Sequence, residues 1–178
     1  MVQPRQGSSD EGNDGSAKSV GMPPKLSSIL DERLILCGMK ARRKQEAIEE
    51  LAALIVQNEP DLSKESIVES VLARERECTT AIGRTCAFPH GKIAGLDRMI
   101  VALGISEHGI ECDAIDLKPV NFMVLILTGE VASLEYLATL AAFASLSREQ
   151  DKMDVVLAAK SPRELIEAVE SLDINLGY

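Results

Sequence analysis

Met99-Ile-Val-Ala-Leu-Gly-Ile-Ser-Glu-His-Gly-Ile-Glu-Cys-Asp-Ala-Ile-Asp-Leu-Lys-Pro-Val-Asn-Phe-Met-Val-Leu-Ile-Leu127 holds two continuous apolar runs, 99–105 and 120–127, around a polar connection. A strand with one wet face alternates apolar and polar residues, so unbroken runs of this length predict strands buried on both faces. Helices must then cover both faces of the sheet. The connection 106–116 is too short and too polar for a helical crossover, which predicts a mixed sheet and not a purely parallel one. Residues 154–158 read as a further buried strand, and Arg33-Leu-Ile-Leu-Cys37 as another.

Working outward, helices are readable from their stripes and caps. A short helical turn is expected at Leu26, Ile29 and Leu30. Ala47, Ile48, Leu51, Ala52, Leu54 and Ile55 repeat at helical spacing within 41–57. Ser63 is placed to cap a second helix carrying Ile67, Val68, Val71 and Leu72 and ending near Arg74-Glu-Arg-Glu77. Residues 133–146 form a third, and Ser161-Pro-Arg-Glu164 opens a last one, with Ser as cap and Pro at the first position. Strands interleaved with helices predict an α/β fold, a three-layer α-β-α sandwich around a mixed, mostly buried central sheet.

Composition narrows the function. The 178 residues suffice for one domain, expected over 25–178, while residues 1–24, rich in Gly, Ser, Asp and Pro, are expected to be a disordered tail. Met22 offers an alternative translation start. Aromatics are 3% of the chain and Trp is absent, so platforms for base stacking are missing, and a net charge of −9 repels a phosphate backbone. No nucleic-acid partner is expected. Cys37, Cys78, Cys86 and Cys112 form no Cys-x-x-Cys pair, which fits reduced thiols in a cytoplasmic protein. No apolar run approaches the ~20 residues of a membrane span, and no secretory signal opens the chain, so direct membrane insertion is not expected.

Chemistry concentrates in Arg74-Glu-Arg-Glu-Cys-Thr-Thr-Ala-Ile-Gly-Arg-Thr-Cys-Ala-Phe-Pro-His-Gly-Lys92. Pro89 fixes its own φ and biases Phe88 toward extended backbone, while Gly91 is expected to let the chain turn, so His90 is presented at a strand end on a stiff corner. A histidine, whose ordinary pKa of ~6.5 leaves a neutral imidazole near pH 7, serves there as nucleophile or proton carrier. Two bland readings stand beside this: a solvated or structurally hydrogen-bonded histidine, and a zinc site from Cys78, Cys86 and His90, whose spacing matches no zinc motif. The one other histidine, His108, lies in a polar stretch and reads as an exposed loop residue.

These residues resemble a known family. Arg-Glu-Arg-Glu-Cys-Thr-Thr-Ala-Ile-Gly followed by Ala-Phe-Pro-His-Gly-Lys is similar to the active-site signature of enzyme IIA domains of the bacterial phosphoenolpyruvate-dependent sugar phosphotransferase system, fructose/mannitol and nitrogen-regulatory type. Ser27-Ser-Ile-Leu-Asp31, Glu46-Ala-Ile-Glu-Glu-Leu51 and Asp113-Ala-Ile-Asp-Leu-Lys-Pro-Val120 extend the resemblance over about residues 25–173. It implies that His90 accepts a phosphoryl group from the histidine phosphocarrier protein. The group then passes to a cysteine of a sugar-permease enzyme IIB domain, or the phosphorylation state is itself read by a regulatory target. It implies no metal and no organic cofactor. Phosphoryl transfer asks the protein mainly for positioning, donors and positive charge. By the resemblance Arg74 supplies a guanidinium, and Thr79 and Thr80 supply hydroxyls and backbone N–H groups.

The chain also departs from the family pattern. Tyr136, in Tyr136-Leu-Ala-Thr-Leu140, stands where the family commonly has a second histidine; its hydroxyl can hydrogen-bond His90 or a phosphoryl oxygen, but it cannot take up a proton near neutral pH. Cys78 replaces a usual Gly, and Arg84-Thr85 replace a usual Asn-Gly, predicting a stiffer and more positive loop. These departures carry the second reading, a regulatory binding module with little or no phosphotransfer.

Overall fold

A computed structural model of the chain describes residues 23–130 and 133–177. The tail expected over 1–24, and Met22 with it, falls almost wholly outside them. The described residues hold strands β1 (Ile35–Cys37), β2 (Ala81–Gly83), β3 (Cys86–Ala87), β4 (His90–Lys92), β5 (Ile100–Ile110) and β6 (Val120–Thr128). Helices α1 (Lys44–Asn58), α2 (Lys64–Glu77), α3 (Leu134–Leu146), α4 (Gln150–Leu157) and α5 (Pro162–Ser171) complete the chain, with short 3-10 turns at Leu26–Ile29 and Glu32–Leu34.

The sheet runs β1-β5-β6-β3-β2 and is mixed: β5 lies antiparallel to β6, whereas β1 is parallel to β5 and both β3 and β4 are parallel to β6. Alternation along β6 divides the molecule in two. Met123, Leu125 and Leu127 pack with Ile48, Leu51, Ile55, Ile67 and Val71 of α1 and α2, while Phe122, Val124 and Ile126 pack with residues of α3, α4 and α5 such as Phe143, Met153, Val156, Leu165 and Val169. Both faces of β6 are therefore dry, as its unbroken apolar run requires. The result is the expected three-layer α/β sandwich.

Residues 154–158 are a correction. Residues 154–157 lie in α4 and Ala158 caps its end, so there is no strand: the buried positions Met153, Val156 and Ala159 are three apart, with Val155 turned out to solvent. The apolar pair Val155-Val156 imitates a strand, but only one of the two meets the core. The polar connection after β5 is also more ordered than a loop: β5 continues to Ile110, with a bulge between the pairs Ile105–Phe122 and Ile110–Val120 that leaves His108 exposed on the strand's far end. Helix α1 starts at Lys44, not Ala41, since the Glu50 carboxylate accepts from the N–H groups of Lys40 and Ala41 and the Glu46 carboxylate from those of Arg42 and Arg43.

β3 and β4 lie in succession along the same side of β6. Cys86 pairs with Phe122 and His90 with Ile126, and between them Pro89, which has no N–H, interrupts the ladder while its carbonyl accepts from the Ile126 N–H at 3.0 Å. His90 follows the break and shares the sheet face of Ile126, the face covered by α3.

Candidate functional site

Helix α2 serves two environments with neighbouring residues. Ile67, Val71 and Glu75 recur at i, i+4 and i+8 and point inward, while Ser70, Ala73, Arg74 and Glu77 recur at i, i+3, i+4 and i+7 and border an open cavity. This cavity, about 450 Å3, is also lined by His90, Gly91 and Lys92 of β4, Thr128 of β6 and Tyr136 of α3. Four elements thus meet around one imidazole.

The ring is fixed by its own strand. His90 Nδ1 lies 3.1 Å from the Phe88 carbonyl oxygen. Since a carbonyl only accepts, Nδ1 carries the proton, and Nε2 keeps its lone pair with no hydrogen-bond partner among the described residues. Phe88 is itself held: its N–H donates to the Thr80 carbonyl at 3.1 Å, and its ring lies 6.2 Å from that of Phe143 on α3. Seven residues before Phe143, on the same stripe of α3, Tyr136 sits over His90 with ring centroids 5.8 Å apart and planes tilted by 56°. Ser133 caps this helix by accepting from the Tyr136 N–H at 3.1 Å. Burial pushes the Tyr136 phenol above its ordinary pKa, partly offset by the Arg74 guanidinium, so at neutral pH it is a donor.

Gly91 does not turn the chain as expected; it continues β4. Its missing side chain instead admits α2, because a Cβ there would lie 2.8 Å from Ser70 Oγ and 2.9 Å from Val71 Cγ2. Ser70 Oγ donates to the Lys92 carbonyl at 2.8 Å and accepts from the Lys92 N–H at 2.9 Å, which fastens β4 to the helix. Arg74 Nη1 donates to the Cys78 carbonyl at 3.3 Å and lies 3.9 Å from Glu77, so the guanidinium is held at the rim.

Thr79 and Thr80 face elsewhere. The Thr80 hydroxyl donates to Glu75, whose carboxylate also accepts from the Thr80 N–H at 3.1 Å; Thr79 Oγ1 donates to the Cys112 carbonyl at 3.4 Å and accepts from Lys44 Nζ at 3.3 Å. Lys44 Nζ lies 3.2 Å from Glu75, whose side chain is 5% exposed. A buried ion pair and two threonines therefore lock the end of α2 to α1, and neither threonine borders the cavity.

A model of the family "Phosphoenolpyruvate-dependent sugar phosphotransferase system, EIIA 2" matches residues 28–172. The chain belongs to this family. Relatives of this EIIA protein include a nitrogen regulatory protein of Bradyrhizobium diazoefficiens, 33% identical over 71% of this chain and 82% of the relative. A fructose-specific EIIA component of the phosphotransferase system of Haloferax volcanii is 30% identical over 76% of this chain and 88% of the relative. Among solved structures, nitrogen regulatory protein IIA-Ntr from Neisseria meningitidis superposes with a TM-score of 0.74 at 27% identity, covering 81% of this chain and 98% of that one. The chain is accordingly a IIA-type component, a phosphocarrier or its regulatory counterpart.

Several of the EIIA chain's distinctive residues lie away from His90. Arg84 and Thr85 form the β2–β3 turn with φ of 54° and 63°, left-handed backbone that Asn or Gly adopts easily and a β-branched residue does not. The Asp116 carboxylate accepts from the Arg84 N–H at 2.9 Å and from that of Lys118, which holds its pKa below the usual carboxylate range. The Arg84 side chain donates to the Arg148 carbonyl at 3.2 Å, not to the cavity. His108 is not among the cavity residues. No group of three or more His, Cys, Asp or Glu able to hold a metal occurs among the described residues, and no helix there is long and apolar enough to cross a membrane. Sequence reasoning missed Ser70, Glu77, Lys92 and Thr128; the i, i+4, i+7 relation of Ser70, Arg74 and Glu77 and the i, i+2 relation of Lys92 to His90 were the available signals.

Proposed function

We propose that the chain carries a phosphoryl group on His90 Nε2, taken from the histidine phosphocarrier protein. The group is then passed to a permease IIB subunit, or its presence is read by a regulatory target. The hydrogen bond from His90 Nδ1–H to the Phe88 carbonyl carries this reading, because it leaves one nitrogen nucleophilic beside a guanidinium and a phenol. In the transfer the donor's N–P bond breaks and its electron pair stays on the donor nitrogen. The Nε2 lone pair forms the new N–P bond, and the Nδ1 proton remains on the ring, where the Phe88 carbonyl favours the positive charge that develops. Arg74 and the Tyr136 hydroxyl donate to phosphoryl oxygens; Gly91 lets α2 close on the strand; Thr79 and Thr80 support the site from beneath through Glu75.

Tyr136 favours a regulatory outcome. A phenol donates to the bound phosphoryl and so holds it on His90, but unlike a histidine in its place it cannot take up a proton near neutral pH. The test is to incubate the chain with phosphoenolpyruvate, the general phosphotransferase enzyme and its histidine carrier, then measure acid-labile phosphate. Label that disappears in His90→Ala supports the reading; no label, or label that survives the substitution, overturns it. Comparing Tyr136→His with the wild type for delivery to a IIB cysteine separates carrier from regulator: a gain for the histidine variant supports the regulatory role, and no gain counts against it.

A further inference from the structure

Arg74 reaches the cavity from α2 and Tyr136 from α3, which leaves the strand side of a phosphoryl group on Nε2 to be met by β4. Lys92 stands there. It is two residues beyond His90 in β4, and successive same-face positions of a strand lie about 6–7 Å apart, within reach of a four-carbon stem. Its backbone is doubly anchored to Ser70 Oγ and paired with Thr128 of β6, and both of those residues also line the cavity. The base of the side chain is thus as well fixed as the imidazole. No carboxylate among the described residues lies within ion-pair distance of its ammonium, whereas Arg74 has Glu77 at 3.9 Å. In a chain with 28 acidic residues against 19 basic ones, a lysine that borders the cavity and has no acidic partner among the described residues is placed to meet an incoming anion.

We propose that Lys92 is a phosphoryl-binding residue of the His90 site. Its ammonium binds the oxygens on the strand side, completing with Arg74 and Tyr136 a three-sided set of donors around the transferred group. This assignment rests on the reading of His90 as the phosphoryl acceptor. During transfer the three oxygens keep their negative charge while the donor N–P bond breaks and the Nε2–P bond forms. A mobile ammonium follows that charge into the loose transition state and then holds the phosphohistidine product. The ring gains no proton and loses none.

Phosphoramidate as the phosphoryl donor tests this without protein docking: its P–N bond breaks, ammonia leaves with the electron pair, and the phosphoryl group bonds to Nε2. Labelling rate and the 31P resonance of the phosphohistidine are compared in wild type, Lys92→Gln, Lys92→Arg and Lys118→Gln, the last removing the same charge from an exposed loop outside the cavity. Loss of one charge-assisted contact predicts about a tenfold slower labelling in Lys92→Gln, a displaced 31P resonance, most of the rate restored in Lys92→Arg, and a wild-type rate in Lys118→Gln. Lys92→Gln with wild-type rate and resonance, or equal slowing in Lys118→Gln, overturns the assignment while the role of His90 stands. A wild-type chain that takes no label from phosphoramidate or from the histidine carrier overturns both.

Discussion

The two halves of the segment between α2 and β5 behave differently. Residues 78–87 are a scaffold: Thr79 and Thr80 are bound to Lys44, Glu75 and Cys112, and the Arg84–Thr85 turn is anchored on Asp116. Residues 88–92 shape the cavity wall to which the proposal assigns the chemistry, with Phe88 setting the tautomer of His90, Gly91 admitting α2 and Lys92 bordering the cavity. Pro89 stands just inside the second half, where it breaks the strand pairing with β6. Closeness in sequence to His90 is thus no guide to which hydroxyl residues border the cavity; the face on which a residue falls is.

The comparison is broken most severely through Glu75. Glu75→Ala leaves Lys44 and the Thr80 N–H without their buried partner, and removing one member of such a pair costs about 3 kcal/mol or more. Urea denaturation should show this loss, yet at temperatures where the variant remains folded His90 should still be labelled, since Glu75 does not border the cavity. Gly91→Ala attacks the other half: its Cβ must displace Ser70 Oγ or Val71, costing roughly 1–3 kcal/mol and slowing His90 labelling as β4 is pushed off α2. A Gly91→Ala protein with wild-type stability and labelling would contradict the close-approach role.

Smaller effects sharpen the contrast. Thr85→Gly relieves a left-handed β-branched residue, a gain of about 1–2 kcal/mol reduced by the backbone entropy glycine adds to the unfolded chain, so a net stabilisation of ~0.5 kcal/mol with unchanged labelling is expected. Burial pushes the Cys86 and Cys112 thiols up to about 12, above their ordinary value near 9. Because the unfolded chain ionises them first, their contribution to stability is fully present below pH 9 and is lost as pH rises from 9 toward 12. Urea midpoints that fall over that interval, together with fast alkylation at pH 8 of exposed Cys78 but not of Cys86 or Cys112, would check this.

Much of this was legible in the sequence. The unbroken runs 99–105 and 120–127 announced strands covered on both sides, and Ser63, Ser133 and Ser161 marked three helix starts, because caps and dry strands are local signals. Helix α4 was not, since Val155-Val156 mimics a strand and only the three-residue spacing of Met153, Val156 and Ala159 betrays the helix. At the site, His90, Arg74 and Tyr136 were identified from residue pattern and family resemblance, and the structure brings all three to one cavity. The orientations of Thr79 and Thr80 were not readable, because the buried lysine that claims Thr79 lies 35 residues earlier in the chain. Nor was the tautomer of His90, which depends on a backbone carbonyl two residues away bending back to the ring.

The direct measurement is to phosphorylate the 15N-histidine-labelled protein and read nitrogen shifts and nitrogen–phosphorus couplings of His90 by NMR. Phosphorus coupled to Nε2, with Nδ1 still protonated, is the predicted result. Phosphorus on Nδ1, or on any residue other than His90, would contradict it.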